Sequence, residues 1–363
     1  MIAAAIAIGA SSAASLAHAE ELVQKDELKV NLGLLLQPQA LVEQAAAPDG
    51  GTGSDFFLRR ARLMLYGNLT SSVSFFVETE QANLGKGGDW STSIFLLDAF
   101  GSVEVVPGVF IDGGLMLVPF TRHDLQAATS LNGVDYHSKL IEFPTGSQRI
   151  WRDVGVEGRA ALADGMVILR GGVFNGVPGT AANMMTGVME RNDGDLPRLA
   201  GNARLVIVGK DDGFFLPGIR FSDEPTVSVG AGVDWQKGAN ASMTGPIDHL
   251  AFAGDVFAEI PVIEDQEVIA QATVAHYSDG AGVAATGTGG FVEAGYRIGR
   301  FEPLISAEKF NSDAAAGDYT GLHAGANAFF NKHKANLKLD VARVEAGGAA
   351  AKIVAILQAQ LLL

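Results

Sequence analysis

The feature that most constrains this chain is a two-residue alternation of apolar and polar side chains, repeated in one segment after another. In the segment FFLRRARLMLYGNL, Ala61, Leu63 and Leu65 share one face, whereas Arg60 and Arg62 share the other. Successive side chains of a β-strand point to opposite faces, so this period indicates strands. Each strand is therefore predicted to have one apolar face and one wet face.

Similar segments follow one another from Leu28 onward, and we count about sixteen, each of roughly the ten residues that a tilted membrane-spanning strand needs. In LDAFGSVEVV, for example, the alternation places Leu97 on the apolar face and Asp98 on the wet face. The connections alternate between short turns and longer segments, and 210–224 is a long exception on the short-turn side. The longer segments on the other side are 37–55, 81–93, 121–150 and 176–196.

A soluble two-sheet sandwich also has alternating strands, with one face of each sheet hidden in a core. Small residues on the apolar face, such as Ala61, Ala99 and Ala203, would pack such a core thinly, whereas a lipid-facing surface tolerates them. An even number of strands, closed on itself, also gives every backbone group a partner inside a membrane. We therefore predict an all-β fold, a closed antiparallel transmembrane β-barrel of about 16 strands.

Composition excludes several other classes of protein. The 363 residues include no cysteine, so neither disulfides nor thiolate metal sites hold the chain together. The formal net charge of -15 argues against a nucleic-acid partner, which requires a basic surface. Hydrophobic residues make up 48% of the chain, yet beyond the N-terminus no apolar stretch approaches the ~20 residues of a membrane helix.

The segment 1–19 has an apolar core, a stretch of small residues, and Ala17-His18-Ala19 as an A-x-A cleavage site. These features predict a secretory signal peptide followed by a barrel domain over 20–363. No basic residue precedes the apolar core, which leaves a buried helix as the alternative reading.

No pattern of catalytic, metal-binding or cofactor-binding residues is found. The seven histidines never adopt the H-E-x-x-H spacing, and there is no G-x-S-x-G or G-x-x-x-x-G-K-[ST] sequence. We therefore expect no enzymatic activity, no metal and no cofactor.

Aromatic residues recur where strands meet the longer loops. Amphipathic rings favour the headgroup level of a membrane, so they predict an interfacial girdle, with ordinary anchoring of loops as the alternative. The residues are Phe57, Phe120, Trp151, Phe174, Trp235, Tyr277, Phe310 and Tyr319.

Several segments, in this order, resemble the phosphate-selective porin O and P family: FFLRRARLMLYGNL, DAFGSVEVVPGVFIDGGLMLVPF, RDVGVEGRA, RLAGNARLV, FEPLISAEKF and HKANLKLDVARVE. The resemblance implies a homotrimeric porin of the bacterial outer membrane, in contact with its lipid, with long loops folded into the channel. It also implies passive diffusion of small hydrophilic solutes, including anions such as phosphate. Two features depart from the family: Leu363 replaces the usual terminal aromatic residue, and the chain is acidic.

If the alternation holds, a set of basic side chains lines the pore, and fixed charge on a pore wall sets ion selectivity. Acidic side chains on the same faces outnumber them, so two readings stay open: an arginine stripe opposite an acidic wall, or neighbouring charges that pair and merely keep the lumen wet. The bases are Arg60, Arg62, Arg159, Arg170, Arg198, Arg204, Arg297 and Lys338; the acids are Glu78, Glu80, Glu104, Asp112, Asp153, Glu157, Asp255, Glu259, Glu293, Glu308 and Asp340.

The long connection 121–150 is a candidate constriction loop, with an exposed surface loop as the alternative. Its charged residues are Arg122, His123, Asp124, Lys139, Glu142 and Arg149. Besides a porin, the pattern allows a barrel that is plugged by its own loops and has a structural or adhesive role, or a secreted all-β binding protein.

Overall fold

The computed structural model describes residues 20–137 and 151–363. These residues form seventeen β-strands and two short 3-10 turns, Lys86–Gly88 and Ala315–Gly317. No helix within the described ranges is long and apolar enough to cross a membrane. The strands are β1 (Glu20–Lys25), β2 (Leu28–Glu43), β3 (Gly53–Asn68), β4 (Val73–Leu84), β5 (Phe95–Val106), β6 (Val109–Leu117), β7 (Arg152–Leu162), β8 (Val167–Phe174), β9 (Arg198–Val208), β10 (Thr226–Asn240), β11 (Ile247–Ile263), β12 (Gln266–Ser278), β13 (Gly287–Ile298), β14 (Phe301–Ser312), β15 (Tyr319–Asn331), β16 (Ala335–Ala346) and β17 (Lys352–Leu362).

Strands β2 to β17 form a closed antiparallel barrel of sixteen strands, as predicted. Each strand pairs with the next along the chain, and β17 closes the ring by pairing with β2. The sequence did not predict β1, which pairs with the first half of β2. β17 pairs with β2 only as far as Leu35. β1 pairs with the rest of the same edge of β2, from Leu32 back to Leu28.

On most strands the inward and outward side chains alternate as predicted. On β3, the side chains of Arg62 and Met64 are buried inside the barrel, whereas Leu63 and Leu65 are exposed on its outer surface. The outer face is apolar because a hydrocarbon environment, unlike water, favours these side chains. The exposed apolar residues are thus the membrane-facing surface of the barrel.

Two of the β-bulges in the sheet affect residues predicted from the sequence, and one of them overturns an assignment. Between β4 and β5 the register slips at Leu97, which is fully buried, while Leu96 takes the exposed outward position. The prediction that Leu97 faces lipid was therefore wrong. An extra residue in one strand of a pair rotates the next side chain, and periodicity alone does not reveal it.

The predicted long loop 37–55 is also wrong, because strand β2 continues to Glu43 and β3 begins at Gly53. Pro38, within the predicted loop, lies at the second bulge, between β2 and β3. Proline cannot donate to the ladder but is tolerated at a bulge, so the strand passes through it.

Five of the eight aromatic residues predicted for an interfacial girdle are buried instead, whereas Trp235 lies on the outer face in register with the exposed Leu199 and Leu250. Phe120, Tyr277 and Phe310 belong to one buried cluster inside the barrel, and Phe57 and Phe174 are buried as well. These rings occupy inward positions, where they pack against other interior side chains.

Two segments fill the barrel interior from opposite ends. The inserted loop (residues 118–137) leaves β6 at the long-loop end, and the inserted link (residues 209–225) joins β9 to β10 at the short-turn end. The link is the long exception noted in the sequence. Phe120 of the loop passes so close to the wall that a Cβ on Gly232 would lie 1.9 Å from the Phe120 carbonyl oxygen. Glycine at 232 is therefore required for the loop to lie against β10.

Candidate functional site in the barrel interior

The eight bases predicted to line the pore all lie on the inner side of the wall, and seven of them are buried. Arg62 shows the typical arrangement: its Nε donates to Glu80 over 2.7 Å, and its Nη1 lies 3.3 Å from Glu78. Both acids stand on β4 beside β3, so the ion pairs span neighbouring strands. Buried charges persist only when they are paired in this way.

The same cross-strand pairing recurs around the wall from β5 to β11. Arg159 is 3.0 Å from Asp112, and Arg170 is 2.5 Å from Glu157. The pattern favours the reading in which facing charges neutralise one another. The remaining pairs on this wall are Arg152 with Asp98, Arg198 with Asp234, and Arg204 with Asp255.

On the other wall, predicted bases are few. Arg297 pairs with Glu267 at 2.5 Å and is the most exposed of the eight. Lys338 has no carboxylate within ion-pair distance among the described residues; its Nζ donates instead to backbone carbonyls of the inserted loop, including that of Gly133 at 3.0 Å. Lys338 therefore serves as an anchor for the loop.

Carboxamides continue this second wall at the closure between β17 and β2. Gln37 donates to Gln360 over 2.8 Å, and Gln39 donates to Gln358 over 2.7 Å. Gln360 in turn donates to the carbonyl of Thr129 in the inserted loop over 2.8 Å. The barrel interior thus has an arginine and acid wall on one side and a largely uncharged polar wall here.

Of the six residues predicted for the constriction loop, Arg122, His123 and Asp124 lie inside the barrel on the inserted loop. Arg122 donates to Asp211 of the inserted link over 2.8 Å and covers the ring of Phe257 at 3.4 Å. Lys139, Glu142 and Arg149 lie outside the described residues. Within its described part, the segment folds inward and is not an exposed surface loop.

Electrostatics tie the inserted loop to the wall. Burial would raise the pKa of Asp135, but Arg60 at 2.5 Å and Arg59 at 2.7 Å outweigh it, so the pKa lies below its usual range. Burial would also raise the pKa of Asp211, but the neighbouring Arg122 outweighs this effect and the pKa falls to about 2. Both carboxylates are therefore ionised partners of arginines at neutral pH.

Two histidines of the inserted loop differ in charge. Burial lowers the pKa of His123 to about 3, and its Nε2 accepts a hydrogen bond from the backbone N–H of His137 over 3.0 Å. At His137 burial acts in the same direction, but the carboxylates of Glu308 at 3.3 Å and Glu293 at 3.7 Å raise the pKa to about 9. At neutral pH His137 is therefore cationic beside a neutral His123.

The inserted loop and the inserted link meet in the middle of the barrel. The N–H of Leu216 donates to the carbonyl of Leu125 over 2.8 Å. The N–H of Ile219 donates to the carbonyl of Ser130 over 3.0 Å. A Cβ on Gly218 would lie 2.5 Å from the Ser130 carbonyl oxygen, so glycine permits this approach. The two segments form one connected body across the bore.

Aromatic packing fixes the link against the wall. The ring of Phe214 stacks on Phe100 with centroids 4.0 Å apart, and Phe215 meets Phe76 edge-on at 5.0 Å. All four side chains are buried in the largest interior cluster.

Sequence reasoning missed Arg59, Asp135, Asp211 and the two phenylalanines of the link. Strict alternation assigns Arg59 to the lipid side, but the bulge beside Leu58 lets both Arg59 and Arg60 reach Asp135. The unusual length of the link was the one available signal for Asp211 and the phenylalanines. No group of three or more acidic or histidine residues within the described ranges could hold a metal ion.

Comparison with known proteins gives the fold. No protein-family model and no curated protein matches the chain. Solved structures do: OprB of Pseudomonas putida has a TM-score of 0.63 at 9% identity and covers 92% of this chain and 94% of its own. The fold is that of a bacterial outer-membrane porin.

Two further porin structures agree with this assignment. An anion-selective porin from Comamonas acidovorans has a TM-score of 0.62 at 13% identity, covering 92% of this chain and 99% of its own. The outer-membrane channel DcaP of Acinetobacter baumannii has a TM-score of 0.59 at 12% identity, covering 92% and 97%. At such identities the likeness describes the fold, and the specific resemblance to the phosphate-selective family stays a prediction.

Proposed function

We propose that this chain is a porin of the bacterial outer membrane that allows passive diffusion of small hydrophilic solutes. The observation that carries the proposal is the division of side chains by the barrel wall. Apolar residues such as Leu63 face outward, whereas charged residues such as Arg62 and Glu80 face inward. A wall of this kind keeps water inside the barrel and lipid outside it.

We extend the proposal to anions such as phosphate. The support lies in the guanidinium groups of the interior, and one of the similar structures is an anion-selective porin. Most of these groups are neutralised by a carboxylate, which reduces the field available to a passing anion. Arg122 is paired as well, with Asp211 at 2.8 Å.

The homotrimer and the signal peptide 1–19 also belong to this proposal. One similar structure, of Vibrio cholerae, is described as a trimer. Chemical cross-linking of the purified protein should give a trimeric band, and N-terminal sequencing of the exported protein should begin at Glu20. A monomer, or an intact N-terminus, would contradict the respective statement.

A second candidate function has an observation of its own. Because the inserted loop and the inserted link are joined by backbone hydrogen bonds inside the barrel, the chain could instead be a plugged barrel with a structural or adhesive role. The two candidates differ in what the barrel conducts.

Single-channel recording in a planar bilayer tests the proposal. A porin gives stepwise conductance increments, and reversal potentials in a salt gradient then report selectivity. Cation selectivity would remove the extension to anions and leave the porin. A barrel that inserts, as judged by heat-modifiable migration on a gel, but stays silent would support the plugged alternative.

A further inference from the structure

Five inward side chains form a polar row across one wall of the barrel, on β14, β15, β16, β17 and β2. Cross-strand register places them side by side, in the order Glu302, Asn327, Lys338, Gln358 and Gln39. Apart from Gln39, each is at most 2% exposed. The row contains one acid and one base and is otherwise made of carboxamides, unlike the arginine and acid wall on the other side of the barrel.

The inserted loop covers this row and contacts it through backbone carbonyls. Lys338 Nζ donates to the carbonyls of Leu131 and Gly133, and Asn327 Nδ2 donates to the carbonyl of Asn132 over 3.0 Å. The buried carboxamide of Asn132 takes no part, because neither its oxygen nor its nitrogen has a hydrogen-bond partner among the described residues. The loop therefore satisfies only some of the polar groups at this contact.

The atoms left unpaired within residues 20–137 and 151–363 differ in kind from one end of the row to the other. At the β14 end they are acceptors, Glu302 Oε1 and Asn327 Oδ1. The amide nitrogen of Asn327 already faces two acceptors, the Asn132 carbonyl and Glu302, which fixes its oxygen as the free atom. At the β17 end the free atom is a donor, Gln358 Nε2, on the neighbour of the cationic Lys338. Buried polar atoms without partners are costly, so the row favours a ligand that supplies them.

We propose that this row binds a zwitterionic solute, a short peptide with free termini. The ammonium group of the peptide donates to Glu302 and Asn327. Its carboxylate accepts from Gln358 and from Lys338, which exchanges the loop carbonyls for it as residues 131–133 move off the row. The peptide amide pairs with the carboxamide of Asn132, which offers both donors and an acceptor. Glu302 and Gln358 are three strand intervals apart, roughly 14 Å, so a peptide spans the row better than a single amino acid does.

Other classes of solute match the row less well. An anion meets the free carboxylate oxygen of Glu302, a cation meets Lys338, and contacts between like charges are unfavourable in a buried site. A neutral sugar supplies hydroxyl groups to the free atoms but no charge opposite to either residue. The inference rests on the proposed function for the route by which the peptide arrives, whereas binding itself does not require conduction.

Saturation-transfer NMR of the full-length protein in detergent micelles, titrated with four probes, tests the proposal. Diglycine is the zwitterion, N-acetyl-diglycine the matched anion, diglycine amide the matched cation and maltose the neutral sugar. Diglycine should bind about 10-fold more tightly than each of the others, which is the effect of one charged hydrogen bond. Equal binding of diglycine and either blocked peptide would overturn the proposal, as would tighter binding of maltose.

Two substitutions separate recognition from folding. Glu302→Gln should weaken diglycine binding about 10-fold and remove the preference over N-acetyl-diglycine, because the charged acceptor for the ammonium group is lost. Asn132→Leu should weaken diglycine and both blocked peptides alike, about fivefold, because all three contain the peptide amide. Since the Asn132 side chain has no hydrogen-bond partner within the described ranges, this variant should fold like the wild type. The matched control is Glu104→Gln, which removes a half-buried carboxylate near the short-turn end of β5 and should leave binding unchanged.

A preference for diglycine that survives Glu302→Gln would overturn the inference. Conductance in a planar bilayer separates it from the proposed function. A barrel that conducts but binds diglycine no better than its blocked forms keeps the function and loses the inference. A barrel that stays silent but binds diglycine selectively loses the function and keeps the site.

Discussion

The two segments that enter the barrel are held there by different forces. The inserted loop is fixed by directional polar contacts: Asp135 to Arg60, His137 to Glu308, and Lys338 to loop carbonyls. The inserted link has polar contacts too, such as Arg170 to the Phe214 carbonyl at 2.8 Å, but it adds the packing of the Phe214 and Phe215 rings against the wall. Polar anchoring depends on pH and on individual partners, whereas apolar burial depends on contact area. The loop should therefore respond to single charges and the link to cavities.

The largest effect is expected where the two segments meet, at Arg122→Ala. This change removes the closest ion partner of Asp211 and leaves a buried carboxylate with arginines no nearer than 3.6 Å. Removing one partner of a buried pair costs about 3 to 5 kcal/mol. Urea unfolding of the barrel reconstituted in lipid vesicles would measure the loss of stability. The double variant Arg122→Ala with Asp211→Ala should be more stable than the single one; equal or greater loss would show that the pair is not the cause.

Phe214→Ala should come next, at about 3 kcal/mol, because it opens a cavity beside Phe100 in the interior cluster. The same unfolding measurement applies. Met184→Ala is the control, since Met184 is fully exposed in the connection between β8 and β9. A Phe214→Ala variant as stable as the control would mean that ring packing does not hold the link.

Raising the pH should release the loop but not the link. The folded pKa of His137 is about 9, against an ordinary value of 6.5, so its contribution is fully present below 6.5 and is lost as the pH rises through about 9. Hydrogen exchange of residues 118–137 between pH 6 and pH 10 should show increasing exposure in the wild type. In His137→Gln the dependence should disappear. Protection of residues 209–225 that falls in parallel would contradict the distinction.

The smallest effect is expected at Arg59→Gln, below about 1 kcal/mol, because the Arg59 side chain is 24% exposed in its pair with Asp135. Arg60→Gln, at 3% exposure, should cost more. Comparing the two variants by unfolding separates a screened from a buried contact to one carboxylate. Equal costs would show that exposure does not govern the strength of these pairs.

The sequence was sufficient to predict which strand residues face the interior. It was not sufficient to predict which of them pair, or which connecting segments enter the barrel. The alternation was sufficient to place Arg62, Arg159 and Arg170 inside the barrel, because side-chain direction is a local property of a strand. Their partners were not predictable as pairs, since these depend on the register between strands. Asp135 and Asp211 lie on connections, where no period applies.

The sequence by itself determined the barrel: the strand number, the inward and outward faces, and the existence of one unusually long connection at the short-turn end. Only the tertiary structure decided where the alternation slips, as at Leu97 and Arg59, and that two connections turn inward and join. The physical reason is range. Periodicity records the environment of each residue on its own strand, whereas a bulge or an inserted segment is stabilised by residues distant in sequence.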